Sequence, residues 1–259
     1  MRIASINLCM DQLLLAVADR EDIAGLSPFA RDGRRSWAAG HAEGLPILSG
    51  TAEEILVLRP SHVLSMTFMK RETRDMIRSQ GIPVVAFDLA DTIAQSREQI
   101  LAVADLAGRP ERGRAAAAAL DGALARLRAA APSQRLRVLP LSRRGWVAGR
   151  RSLVADLLAQ AGLDNAAGDA GLEAGGFLSL ERIVALRPDA ILVTAAEERA
   201  EDQGRAMLLH PALTALFPPE RRIVVPEALT VCGGPMLVEA MDRLADQIRT
   251  LRPREEAAR

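Results

Sequence analysis

The chain contains no tyrosine, and its aromatic content stops at two tryptophans and five phenylalanines. Stacking on aromatic rings can therefore play only a limited part in binding. Net charge is missing too, since Lys and Arg number 33 and so do Asp and Glu. Sequence-independent binding to nucleic acid needs a basic surface excess, so nucleic acid is excluded as a partner. No apolar run approaches the roughly 18–20 residues that cross a bilayer, so the chain is not expected to span a membrane. Cys9 and Cys232 lie too far apart for a CxxC redox motif. His41, His62 and His210 each stand without a second ligand two to four positions away, which argues against a dedicated zinc site. No G-x-G-x-x-G or G-x-S-x-G follows a strand. Gly108–Ala115 has the glycine spacing of a phosphate loop, but it ends Arg114-Ala115 where Lys and Ser or Thr are required, and it lies between helices. No catalytic constellation remains. Met1-Arg2 runs straight into Ile3-Ala4-Ser5-Ile6 with no signal peptide, which implies either a cytosolic protein or a leader left out of this sequence.

What is present occurs twice. Thr51–Thr67 reads TAEEILVLRPSHVLSMT and Ser179–Ala195 reads SLERIVALRPDAILVTA, at a constant offset of 128 (179 − 51, and 188 − 60 for the prolines). Each copy opens on a hydroxyl residue suited to an N-cap and places Glu53 or Glu181 where the helix dipole favours negative charge. Apolar residues follow at helical spacing, Ile55, Leu56 and Leu58 in one copy and Ile183, Val184 and Leu186 in the other. Arg59-Pro60 and Arg187-Pro188 then end the helices, because the residue before proline is pushed out of the α region. A β-rich run comes next, Val63–Ser65 or Ile191–Thr194. A duplicated helix–turn–strand unit predicts two similar α/β lobes with mainly parallel sheets.

The rest of the chain fits that plan. Arg2–Ile6 is expected to be a strand, Asn7-Leu8-Cys9 a tight turn, and Met10–Ala18 a helix. Ser27–Ser49 reads as a surface loop, Arg71–Ser79 as a helix and Pro83–Phe87 as a strand. Thr92–Ala107 is helical and breaks at Gly108. From Pro110 to Ala130 the chain is rich in alanine, with Leu120, Leu124 and Leu127 on one stripe. This long helix lies between the repeats and is read as a stiff brace rather than an ordinary packed helix. The division is then a lobe at 1–108, a lobe-spanning helix at 109–132 and a second lobe at 133–259. In that second lobe, Leu136–Leu141 and Arg222–Val225 read as strands, Ser152 as the cap of a helix that Gly162 stops, and Asp164–Gly176 as a loop. Glu197–Leu216 is polar and then helical, and Met236–Leu251 is an amphipathic helix.

Cys9 follows the first strand and Cys232 the last. Ligands of α/β sheets sit outside the carboxyl ends of strands, so both cysteines could open on one crevice. Four readings stand side by side: buried apolar residues, cleft-lining thiols, a disulfide, or a pair of metal ligands. Glu53 and Glu181 either serve their own helices or meet basic residues on a pseudo-symmetric partner.

The order of Ala4-Ser5-Ile6-Asn7-Leu8-Cys9-Met10-Asp11, the two helices ending in Leu-Arg-Pro, the long central helix and Val147-Ala148-Gly149-Arg150 resemble one family over nearly the whole chain. It is the periplasmic substrate-binding proteins of ATP-driven importers for cobalamin, ferric siderophores and heme. The resemblance implies two α/β lobes bridged by one rigid helix, a receptor and not an enzyme, with no intrinsic cofactor. It implies a monomer outside the cytoplasm, in the periplasm, whose leader is absent from this sequence. The implied partners are a small-molecule metal chelate and an inner-membrane ABC permease, docked through Glu53 and Glu181. The implied ligand contacts come from Asn7, Leu8, Cys9 and Met10 in one turn, Met66, Thr67 and Phe68 in a second, Arg144 and Trp146 in a third, Thr194 in a fourth, and Cys232 and Gly233 in the last. Met66 stands where the cobalamin binders commonly carry an aromatic, and the tyrosine that often ligates heme iron has no counterpart here. An unspecified metal chelate is therefore the expected ligand. Two rivals are kept: a cytosolic two-lobed enzyme of chelatase or transferase type, and a direct metal-ion binder using Cys9 and Cys232.

Overall fold

The computed structural model describes residues 1–193 and 207–251. The chain divides into two units, one of Met1–Ala90, Ala94–Asp121 and Val231–Leu237, the other of Asp91–Ile93 and Gly122–Thr230 continuing from Val238. In chain order the first unit holds β1 (Ile3–Ser5), α1 (Leu8–Val17), β2 (Ile23–Gly25), α2 (Ala52–Leu58), β3 (His62–Met66), α3 (Arg71–Ser79) and β4 (Val84–Phe87). Two longer helices follow, α4 (Ile93–Leu106) and α5 (Pro110–Ala129), and α5 contributes residues to both units. The second unit holds β5 (Arg137–Leu141), β6 (Trp146–Ala148), α6 (Leu153–Gln160), β7 (Asp164–Asn165), β8 (Gly175–Phe177), α7 (Leu180–Leu186), β9 (Ala190–Val193), α8 (Pro211–Leu216), β10 (Arg222–Val224) and most of α9 (Leu237–Ile248).

The first sheet is wholly parallel, in the order β2-β1-β3-β4. Parallel strands need a crossover long enough for a helix, and α1, α2 and α3 supply the three. Alternation along the strands puts Ala4, Val63 and Val84 on one face, where Ala52 and Ile55 of α2 and Ile77 of α3 cover them. Ile3 and Leu64, on the other face, are buried as well.

Helix α1 begins two residues earlier than its apolar pattern predicts. Asn7 is its N-cap, with Oδ1 accepting the Cys9 N–H at 2.8 Å. Leu8 and Cys9, expected in a tight turn, are thus buried with Met10 in the first helical turn. Within the supposed surface loop, Ser27 sends its backbone N–H and its hydroxyl to the Asp11 carboxylate, and Ala30, Ala38, Ala42, Leu45 and Leu48 are buried. The segment is part of the core packing, although it has little regular structure.

Cys9 and Cys232 are joined in a disulfide, with Cα atoms 5.2 Å apart at a sequence separation of 223. This corrects the readings of buried free thiols, of thiols lining a crevice and of metal-ligating thiolates. It also accounts for the return of Val231–Leu237 to the first unit, late in a stretch of chain that otherwise builds the second. Gly233 packs so closely there that a Cβ would lie 2.2 Å from Ser96 Oγ.

The second sheet runs β10-β9-β5-β6-β8, with β7 paired to the start of β5. Strands β5, β7, β9 and β10 pair in parallel, but β6 is antiparallel to both β5 and β8. The expectation of a mainly parallel sheet holds here only in part. The reason is the short turn at Ser142–Gly145, closed by Ser142 N–H to Trp146 O at 2.7 Å. A connection that short joins only antiparallel strands. The expected loop 164–176 holds β7 and the start of β8. The polar stretch expected from Glu197 begins outside the described residues. Its helical part is α8, opened by Pro211 at the first turn.

Both repeats end their helices, but not as the proline rule predicts. Arg59 (φ 46°, ψ 56°) and Arg187 (φ 46°, ψ 53°) adopt the left-handed conformation instead of an extended one. There the Arg59 N–H still reaches Ile55 O and the Arg187 N–H reaches Val184 O. Capping an orphan carbonyl outweighs the cost of order 1–2 kcal/mol of a non-glycine αL residue.

Two stability predictions follow from the first unit. Replacing Cys9 and Cys232 together by Ala frees a very long loop in the unfolded chain and should lower the unfolding free energy by about 2–5 kcal/mol in urea titrations; an unchanged value would mean that the bond does not form. Burial raises the Asp11 carboxyl from 3.8 to about 6, and the Ser27 and Ser5 hydrogen bonds oppose that rise only in part. A raised folded-state value means that Asp11's contribution is fully present below about pH 4 and is lost as pH climbs through 6. Asp11→Asn should remove this slope. Compared at pH 4 and pH 7, the variant should gain on the wild type by up to ~3 kcal/mol, and a pH-independent difference would refute the assignment.

Candidate functional site

In the first sheet the chain passes from β1 to β2 on one side and then crosses to β3 on the other. The carboxyl ends of β1 and β3 therefore flank a topological switch point, the place where open α/β sheets leave a crevice between diverging helices. A cleft of about 630 Å³ lies there. Its base is Ile6 and Asn7 after β1 and Ser65 and Met66 ending β3. One wall is the turn Phe68–Lys70 with Glu72, Thr73 and Met76 of α3. The other is Ser49 to Glu53, where the chain enters α2. All of these residues belong to the first unit.

Local chemistry sets each position. Asn7 is held by its capping bond to Cys9 N–H and by the Ser5 hydroxyl, which donates to Asn7 O at 3.2 Å. Its side-chain NH₂ has no partner among the described residues. Met66 is buried as a floor, and the turn after it closes by Met69 N–H to Met66 O at 3.0 Å. That turn lifts Phe68 to 65 % exposure. Thr51 caps α2, accepting from Glu54 N–H, while the Glu54 carboxylate reaches back to the Ser49 N–H at 2.6 Å and its hydroxyl at 2.8 Å. Glu53, one position earlier, lines the cleft. The result is a base of mixed character, Ile6 and Met66 beside Asn7 and Ser65, with a polar, mixed-charge rim, the make-up of a small-molecule site.

Of the residues expected to touch ligand, the cleft brings together Asn7, Met66 and Phe68. Thr67 turns aside, its hydroxyl donating to Asp88 Oδ1 at 2.7 Å. Leu8, Cys9 and Met10 lie behind Asn7 in the packed first turn of α1, and Cys232 and Gly233 are buried beside them rather than on the cleft wall. Thr194 lies outside the described residues. Met69, Lys70 and Met76 went unread in the sequence; the signal was the face that Thr73 and Met76 share on the amphipathic helix α3.

Arg144 and Trp146 stand in the second unit, on the turn into β6. Arg144 is exposed in the left-handed region at φ 58°. Trp146 is 40 % exposed and meets Phe177, its cross-strand neighbour on β8, edge to face at 5.1 Å between ring centroids. Phe177, 67 % exposed, was also missed, because β8 begins with two glycines and carries no strand signature. The first of those glycines has a purpose, since a Cβ on Gly175 would sit 2.8 Å from Val147 O, and across the pair a Cβ on Gly149 would sit 2.3 Å from Glu173 O.

Glu181 occupies the position in α7 that Glu53 occupies in α2, and both are exposed. Hydrogen bonds from its own backbone N–H and from the Ser179 hydroxyl, with a smaller pull from His210, hold the Glu181 carboxyl below the usual glutamate range. Among the described residues no group of three His, Cys, Asp or Glu side chains could hold a metal ion, and no helix is long and apolar enough to cross a membrane.

A family model described as periplasmic binding protein matches residues 3–217. The chain belongs to that family. Periplasmic binding proteins capture ligands and are not enzymes, which removes the chelatase and transferase reading. Among curated relatives, a cobalamin-binding protein of Halobacterium salinarum is 25% identical over 256 residues, covering 95% of this chain and 68% of its own. The periplasmic heme-binding protein RhuT from Roseiflexus sp. RS-1 is 28% identical, with a TM-score of 0.77 over 95% of this chain and 97% of RhuT. The heme-binding protein HutB of Vibrio cholerae shares the fold, with a TM-score of 0.78 over 95% of this chain and 98% of HutB at 20% identity.

Gly149→Ala should cost about 1–3 kcal/mol through overpacking against backbone and should shift the emission of the nearby Trp146. An unperturbed spectrum and melting curve would show that β6 and the 173–175 loop are not in contact.

Proposed function

We propose that this periplasmic binding protein is the receptor of an ATP-driven importer, capturing a metal chelate and handing it to an inner-membrane permease. The observation that carries the reading is the switch-point cleft, open and lined by Ile6, Met66, Phe68 and Met76 among polar groups, in a chain whose family match runs through residues 3–217. The named relatives bind cobalamin or heme, and both ligands are large chelates with extensive apolar faces. Burying such a face against Ile6, Met66, Phe68 and Met76 would contribute roughly 25 cal/mol per Å². Asn7 and the rim residues would fix orientation. Trp146 with Phe177 and Arg144 form the second unit's candidate contacts.

No cleft residue is a histidine or tyrosine. His62 opens β3 at the end away from the cleft, and His210 caps α8 through Nδ1. Capture in the first unit would thus rest on shape and apolar contact, without imidazole or phenolate ligation. Glu53 and Glu181 would dock on basic groups of the permease. Exposed pairs of this kind contribute at most about 1 kcal/mol each and act mainly on orientation. The protein would work as a monomer in the periplasm.

Titration of the purified chain with cyanocobalamin, ferric heme and ferric hydroxamate siderophores, followed by native mass spectrometry, tests this. A one-to-one complex at about micromolar affinity or tighter is expected with one of them, and binding of none would end the receptor reading. In reconstituted transport, Glu181→Lys should stop uptake while ligand affinity stays intact. Undiminished uptake would remove the docking role.

A further inference from the structure

The two glutamates that sequence makes equivalent are not equivalent in the fold. In α7 the third helical residue is Arg182, so no carboxylate follows Glu181 to satisfy the helix start. Glu181 takes that task itself, bonded to its own backbone N–H and to Ser179. In α2 the third residue is Glu54, which turns back onto Ser49. Glu53 is thereby released. Glu53 lines the cleft, and its carboxylate has no hydrogen bond or ion pair among the described residues.

We propose that Glu53 reads the ligand directly, its carboxylate accepting N–H donors, amide or ammonium, from the edge of the molecule seated in the first unit's cleft. The inference rests on the receptor reading and deepens it by naming the chemistry of that edge. The cavity is the basis, not the helix end: the cleft whose Met66 base and Phe68 wall would meet an apolar face carries Glu53 on its opposite wall. Charge points the same way. Glu72 joins Glu53 on the rim, and Lys70 is the one cation among the lining residues. A ligand presenting carboxylates on this side would meet like charge, which costs affinity. A ligand presenting N–H groups would find an acceptor in a partly enclosed site, where charge-assisted hydrogen bonds are strong. An ionised carboxylate has two oxygens and about four acceptor positions, so contact with a ligand leaves acceptors for docking.

The test uses the full chain, with cyanocobalamin and ferrichrome as probes whose edges carry amide N–H groups, and ferric heme as a probe whose edge carries carboxylates. Calorimetric titration of Glu53→Ala should show affinity for the amide-bearing probe falling roughly tenfold to a hundredfold, with partial recovery in Glu53→Asp and no loss for heme. Thermal melting confirms folding, and Glu53→Gln replaces the alanine variant if that one unfolds. The same substitution at Glu181 is the comparison. A Glu53→Ala affinity within twofold of wild type, an equal loss in Glu181→Ala, or wild-type binding of heme alone would each overturn the inference and leave the receptor reading standing. Wild-type binding of none of the three probes would overturn both.

Discussion

The strand order β2-β1-β3-β4 is the constraint from which the first unit's chemistry follows. Because β2 and β3 lie on opposite sides of β1, the connections leaving β1 and β3 diverge, and the cleft opens between them at the carboxyl ends. Each feature of the cleft is a consequence of that divergence. Asn7 caps α1 immediately after β1, Met66 becomes a floor because β3 ends beneath the gap, and the chain enters α2 along one side with Glu53 among the lining residues. Ala52, Ile55 and Ile77 anchor α2 and α3 on the buried face of the sheet.

The duplicated helix shows how one local pattern is put to two uses. Both copies are capped by a hydroxyl, both bury one isoleucine, and both end on an arginine in the left-handed region. Their electrostatics diverge at a single position, Glu54 against Arg182. That exchange decides whether the preceding glutamate is bound to its own helix or free to face a ligand. Similar folding units can therefore carry different recognition chemistry at no structural cost.

The disulfide and Asp11 tie the first unit together behind the cleft. Cys9 sits one helical step from Asn7, and Cys232 brings Val231–Leu237 back to it. Asp11 holds Ser27 at the start of the irregular segment. Pattern reading left the disulfide as one of four alternatives and did not see the Asp11 contact, since it placed Cys9 in a turn and the segment after Ser27 on the surface. Periodicity cannot see a pairing across 223 residues, nor a buried carboxylate whose partner is a loop serine.

The amino-acid sequence by itself determined the elements with strong local signals. The proline-ended repeats, the alanine-rich α5, the Ser152 cap and the stop at Gly162 all rest on interactions within a few residues. It also determined the α/β class, and through the order of its motifs the family. Only the tertiary structure decided which side chains face the cleft, that β6 and β8 run antiparallel, that the cysteines are bonded to one another, and that Glu53 and Glu181 differ. Those outcomes depend on which strands become neighbours and on contacts between residues far apart in the chain, and such contacts leave no periodic mark in either partner's own neighbourhood.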